Sequence, residues 1–244
     1  MASRVMLKVF QLLLVACRAS QEIADFVEKN APKGDIDAAL DTFIRFSEQN
    51  QLGMHLGHQK GQNILYSVMK GKPQTGPVTV LELGCHAGDG TLSIFKALQD
   101  RPGSTIISTE SNKGWLKTAK RIVAHATNGL SVRWIPLLVP DKTDFPEFLR
   151  KLKDDFQLGA FDSMVFDHEE KRFLPDLKTV LDQKMLRAGG TVQIDNVKRK
   201  ARALAEYMDF VKPGRNGFST TVVQVDEPYP DAVAISQLLE QTEL

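Results

Sequence analysis

From residue 78 onward the chain repeats one rhythm, and that rhythm narrows the fold more than any other feature of the sequence. An apolar run, VTVLEL (78–83), is followed by a glycine-bearing turn, GCHAGDG, and then by a helical pattern, TLSIFKALQ. A strand that is apolar at successive positions must be covered on both faces, as strands of parallel sheets are. STIISTE (104–110) opens a second unit, with a helix around Trp115 to Ala126. SVRWIPLL, DSMVFD and GGTVQID read as three further strands, and FSTTVVQV closes with β-branched alternation. Alternating β and α units predict an α/β fold with a mainly parallel sheet covered on both faces.

Ahead of the sheet the reading is helical. Ile23, Phe26 and Val27 share one face, a break falls at Ala31-Pro32-Lys33-Gly34, and Ile36, Ala39, Leu40, Phe43 and Ile44 resume it at spacings near 3.6. A glycine-bearing loop, Gly53–Gly61, leads to a third helix over Asn63–Lys70, and GKPQTGP (71–77) is a turn-rich linker. Residues 21–244 are therefore expected to form one domain, with 21–70 as a helical cover on a core at 78–244. At 244 residues the chain is long enough for such a core.

Composition excludes little else. A net charge of +1 gives no reason to expect a nucleic-acid or membrane partner. Cys17 and Cys85 make neither a disulfide framework nor a zinc site, which favours a reducing, cytoplasmic setting. Residues 1–20 carry a basic start, an apolar run and the small-residue stretch CRAS. That pattern fits an N-terminal helix, a cleaved signal or a transit peptide, and the last two would make the protein secreted or organellar. The apolar run falls well short of the roughly twenty residues that span a bilayer, so stable membrane insertion is not expected.

Two constellations carry chemistry. In the first, Gly84, Gly88 and Gly90 lie where a strand hands over to a helix, the place where open α/β sheets bind nucleotides. Their spacing is G-x-x-x-G-x-G rather than the dinucleotide G-x-G-x-x-G. Glu110 ends the next strand at the same level, where an acid accepts ribose hydroxyls. With no Walker lysine and with Glu82 just before the turn, the set favours S-adenosylmethionine over NAD or ATP. The plainer alternatives are a structural tight turn and a solvated strand-end acid. In the second, Asp167 ends one strand and Asp195-Asn196 end the next. Ends of adjacent parallel strands lie side by side, so two carboxylates and an amide oxygen would converge as ligands for Mg²⁺ or another hard divalent cation. Otherwise the Asp-Asn pair is a turn or helix cap.

The stretches MHLGHQKGQ (54–62), VLELGCHAGDG (80–90), SMVFDHEEKRFLPD (163–176) and GGTVQIDN (189–196) together resemble the catechol O-methyltransferase family, over nearly all of the chain after the first twenty residues. The resemblance implies a Rossmann-like, seven-stranded sheet that uses S-adenosylmethionine and Mg²⁺ to methylate a catechol-like small molecule, in a monomer. It implies that Leu56, Glu82, Gly84 and His86 border the methionine part, with Gly88 and Gly90 in the same turn. Glu110, beside Ser111, would hold the ribose, and His168 would lie near the adenine. Asp167, Asp195 and Asn196 would carry the metal, with Asn196 also facing the substrate. A late acid, Asp226 or alternatively Glu227, would grip the second hydroxyl.

Departures from the family are concentrated at the proton acceptor. The family's motif runs Asp-His-Trp-Lys-Asp-Arg-Tyr-Leu-Pro-Asp, with its lysine as general base. Here Glu170 stands in that place and Lys171 one step on. Lys171 reaching in through a shifted turn, Glu170 serving as base, and an impaired site are the three explanations. Glu169 and Leu52 stand where the family has tryptophans, and LVPDKTDFP (138–146) lacks the usual adenine contacts. After Asn196 comes VKRKARALAEYMDFVK, read as a helix with Lys198, Arg199, Lys200 and Arg202 in solvent and Leu204, Tyr207 and Met208 inward. Were it to rim the pocket instead, it would favour acidic phenols.

Overall fold

A computed structural model describes residues 20–240 apart from 71, 73, 74 and 141. The leader at 1–19, and with it Cys17, lies outside the described residues. Seven strands form one sheet: β1 (Thr79–Leu83), β2 (Thr105–Glu110), β3 (Arg133–Leu138), β4 (Phe161–Phe166), β5 (Leu186–Ile194), β6 (Phe218–Val225) and β7 (Asp231–Leu238). Their order is β3-β2-β1-β4-β5-β7-β6. β1 to β5 run parallel, and β7 lies antiparallel between β5 and β6. Along β1, Val80 packs into a cluster with Ile23, Phe43 and Leu92, while Leu81 packs into another with Leu149, Met164 and Leu177. Adjacent residues of one strand thus feed opposite apolar layers, the burial its unbroken apolar run predicts.

The N-terminal cover consists of α1 (20–30), α2 (Ile36–Gln49) and α3 (Gly57–Met69). α2 begins where Asp35 accepts a hydrogen bond from the Ala38 N–H at 2.9 Å, an N-cap at the break the sequence marks. The third helix starts six residues before the expected Asn63, counting 63 minus 57. Its two early glycines serve packing rather than a loop. A Cβ at Gly57 would stand 3.2 Å from Pro228, and one at Gly61 would stand 2.9 Å from Ser93 Oγ. Ser93 belongs to α4 (Asp89–Leu98), so close helix–helix approach explains Gly61.

The remaining helices are α5 (Lys113–Ala126), α6 (Phe145–Phe156), α7 (Phe173–Asp182) and α8 (Ala201–Phe210). Leu204 and Tyr207 of α8 are buried while Lys198, Arg199, Lys200 and Arg202 are exposed, as read from the pattern. FSTTVVQV does not close the fold. DAVAISQL follows it as β7, buried along Asp231–Ser236 because it is flanked on both sides. Its alanines carry little β-propensity, which hid it in the sequence. Among the described residues no helix is long and apolar enough to cross a membrane. The chain winds one way from β1 through β2 to β3 and the other way from β1 to β4 and β5, so the crevice falls at the C-terminal ends of β1 and β4.

Candidate active site

A cleft of about 640 Å³ opens at those strand ends, lined by Glu110, Ser111, Trp115, Asp167, His168, Glu170 and Asn196 among others. Beneath it lies a recess of about 20 Å³ bordered by Leu56, Lys60, Glu82, Asp89, Gly90, Asp167 and Asp195. Gly84 and His86 line both. Gly84 has φ +91°, and a Cβ there would collide with the Asp167 carbonyl, so glycine lets the ends of β1 and β4 close on each other. The expected approach to a ligand is here an approach between strands. Gly88 packs on Ala119 and Val123 of α5.

Glu110 is aimed from below. Its Oε2 accepts the His86 N–H at 2.9 Å and its Oε1 the Asn112 N–H at 2.7 Å, which fixes the carboxylate at the cleft wall with lone pairs to spare. Asn112 in turn caps α5 through the Gly114 and Trp115 N–H groups. The Trp115 ring lies over the His86 ring at 4.0 Å between centroids. Burial lowers the His86 imidazole to about 4, and neither ring nitrogen has a partner, so it is a neutral ring at physiological pH. Glu82 is 1% exposed; burial pushes its carboxyl up to about 7 against the hydroxyls of Ser108 and Thr91. The Thr91 hydroxyl donates to Glu82 Oε2 at 2.6 Å. Asp89 accepts the Leu56 N–H at 2.9 Å and is raised by burial to about 6.

Asp167 and Asp195 come to neighbouring strand ends as the pairing requires, since Phe166 and Ile194 are register partners and the two aspartates follow them directly. Asn196 has φ +60°, a left-handed conformation that asparagine tolerates, and lines the cleft beside Asp167. Asp167 is raised well above the ordinary carboxylate range, first by burial and then by Asp195 and Asp89. Burial likewise raises Asp195, opposed by Lys60. Among the described residues no group of three or more His, Cys, Asp and Glu side chains is placed to hold a metal ion. The third donor in this trio is an amide, and the set is all oxygen. Asp195 Oδ1 is buried and makes no hydrogen bond, although Lys60 Nζ stands 2.8 Å away. Two desolvated carboxylates that influence one another, with an amide oxygen beside them, form an all-oxygen donor set that fits a hard cation.

Lys60 is the site residue the sequence reading missed. Its ammonium is 1% exposed and bridges Asp195 and Asp231, the latter at 3.0 Å. Burial alone would lower it, but Asp195 and Asp231 outweigh burial and its pKa is raised. The signal was present: Gly57, Lys60, Gly61, Ile64, Ser67 and Val68 form one buried face, and a lysine on such a face needs partners. Trp115, Phe145 and Phe148 also line the cleft and were not singled out.

The opening of the loop after β4 is divided. His168 Nε2 contacts Asp176 Oδ2 at 2.8 Å and its ring packs on Phe166 and Phe173, at the cleft wall. Glu170 lines the cleft, with Lys200 Nζ 3.2 Å from its Oε1. Lys171 does not turn inward: its side chain is 74% exposed and its ammonium pairs with Glu169 at 2.7 Å. The shifted turn that would bring it in is absent, because Glu170–Arg172 form a short 3-10 turn that points successive side chains apart. Asp226 and Glu227 are exposed and neither lines the cleft; the Asp226 N–H donates to Gln59 at 2.7 Å.

No family model matches the chain. Catechol O-methyltransferase B of Danio rerio is 28% identical over 204 residues, covering 80% of this chain and 69% of the relative. A probable O-methyltransferase of Mycobacterium tuberculosis is 32% identical over 175 residues, 71% of each chain. The chain belongs to the O-methyltransferases. Its fold is shared with solved structures of low sequence identity. The O-methyltransferase TomG of Streptomyces achromogenes, solved in complex with SAM, has a TM-score of 0.62 at 16% identity, covering 80% of this chain and 87% of its own. An O-methyltransferase of Bacillus cereus, in complex with SAH, has 0.61 at 17%, covering 82% and 90%.

Proposed function

We propose that this protein is an S-adenosylmethionine-dependent O-methyltransferase that acts, with Mg²⁺, on one hydroxyl of a catechol-like small molecule. The observation that carries the reading is the meeting, at the cleft and the recess that adjoins it, of a backbone-held acid at the end of β2 with two desolvated carboxylates and an amide at the ends of β4 and β5. When bound, S-adenosylmethionine supplies an electrophilic methyl group and Mg²⁺ supplies Lewis acidity toward the substrate hydroxyl. Glu110 would hold the ribose hydroxyls, the neutral His86 ring and Trp115 would lie beside the cofactor, and Glu82 with Leu56 would border its methionine part. Asp167, Asp195 and Asn196 would hold the cation, Lys60 keeps Asp195 in place through their ion pair, and Glu170 would accept the proton released from the hydroxyl. Orientation of the substrate hydroxyl against the methyl group, together with electrostatic stabilisation, contributes to the rate of such a transfer.

Isothermal titration with S-adenosylmethionine, with and without Mg²⁺, tests the core of this. Micromolar binding is expected, and no binding in either condition would refute it. A catechol panel with labelled cofactor then tests transfer. The outward-facing Lys171 favours a second reading, a cofactor-binding protein without turnover. Binding with no methylation of any catechol, even at raised pH, would support that reading instead.

A further inference from the structure

A charged side chain beside the cleft, paired with one of its lining residues, has no part in the roles above. Lys200 comes from the turn that follows Asn196, and its backbone N–H donates to the Asn196 carbonyl at 2.8 Å. Its ammonium reaches the loop after β4 and stands 3.2 Å from Glu170 Oε1. Glu170 lines the cleft with Asp167 and Asn196, and its side chain is 22% exposed. The segments that follow β4 and β5 are therefore joined by the Lys200–Glu170 ion pair. Lys171 does not compete for Glu170, because its own ammonium is spent on Glu169 in solvent.

We propose that Lys200 is the positioning residue for the proton acceptor of the reaction, Glu170. This rests on the methyl-transfer reading. An ammonium has no lone pair to take a proton, so within this pair the acceptor is the carboxylate. Lys200 holds Oε1 and leaves Oε2 to face the substrate hydroxyl. As a lone pair of the substrate oxygen forms the bond to the methyl carbon, the carbon–sulfur pair returns to sulfur and the O–H proton passes to Glu170, from which it leaves to water. Without Lys200, a carboxylate at the end of a short turn is free to swing into solvent, and small misplacements of a reacting group are costly in rate. The pair is half-exposed, and such pairs contribute little to stability, so its removal acts on position rather than on folding.

The test uses the full chain and the best substrate from a catechol panel. Lys200→Ala is expected to lower kcat about tenfold, with the catechol KM and the S-adenosylmethionine Kd within twofold of wild type. Lys200→Arg should regain most of that loss. Glu170→Gln should lower kcat about a hundredfold, and adding Lys200→Ala to it should cost nothing further, since both act on one group. A Lys200→Ala enzyme with wild-type kcat, or a double variant whose losses multiply, overturns the positioning role while leaving methyl transfer standing. A wild-type protein that binds S-adenosylmethionine and methylates nothing overturns the methyl-transfer reading, and the role of Lys200 falls with it.

Discussion

At the scale of single residues, Glu82 and Glu110 show how one side chain type does two jobs. Glu82 is sealed in, and burial pushes its carboxyl from 4.5 to about 7. Between those values the folded state keeps a proton that the unfolded chain has released. The stability tied to the protonated acid is therefore full below pH 4.5 and is lost as pH rises through about 7. Glu82→Gln removes that loss. In urea melts without cofactor, its stability relative to wild type should rise by roughly 2–3 kcal/mol between pH 4.5 and pH 8, and a pH-independent difference would contradict the assignment. Glu110 instead has both oxygens committed to backbone N–H groups at the cleft. Glu110→Ala should weaken S-adenosylmethionine binding by about 10–100-fold, roughly 1.4–2.8 kcal/mol, by titration calorimetry; affinity within twofold of wild type would move the ribose elsewhere. Both acids were legible in the sequence because strand-end position is legible. The fate of Glu170 and Lys171 was not, since adjacent residues on a 3-10 turn face different ways and only the backbone decides which looks inward.

At the scale of elements, the site is held by α3 meeting β5 and β7. Lys60 lies within α3, Asp195 just past β5 and Asp231 at the start of β7, and the three form one buried cluster. Lys60→Met leaves two carboxylates without their cation and should destabilise the protein by about 3–5 kcal/mol. At about 2–4 °C per kcal/mol for a chain of this size, the Tm falls by on the order of 10 °C. If the trio binds Mg²⁺, millimolar Mg²⁺ should restore part of that loss, since a divalent ion can replace the missing charge beside Asp195. A Tm for Lys60→Met within about 2 °C of wild type would show that the cluster contributes little. The same elements mark where sequence reading stopped. α3 was started late because Gly57 and Gly61 read as loop, whereas they answer to contacts with Pro228 and Ser93 from distant parts of the chain. β7 was missed because a strand flanked on both sides has no alternation to display, and its small residues resemble no strand by propensity. Partners distant in sequence fix both features, and a single sequence does not display them.

For the whole molecule, the sheet order determines which strand ends share a crevice; the mainly parallel sheet was legible in the β/α rhythm, whereas the order of its strands is set by tertiary pairing. β1, β2 and β4 bring Gly84, Glu110 and Asp167 to one cleft, while β5 adds Asp195 and Asn196. A ligand bound there joins four strand ends and the α3 and α5 approaches, so its binding energy should appear as stability of the whole fold rather than of a local loop. With S-adenosylmethionine at a hundred times its Kd, stabilisation by mass action is about 2.7 kcal/mol. For a chain of this size that corresponds to a Tm rise of roughly 5–11 °C. NAD at the same concentration should leave the Tm unchanged, because the turn after β1 lacks the G-x-G-x-x-G spacing that admits a pyrophosphate. Differential scanning fluorimetry with the two ligands side by side separates the possibilities. A shift with NAD equal to that with S-adenosylmethionine would make the cleft a dinucleotide site. That would leave the desolvated pair Asp167 and Asp195 without a chemical role.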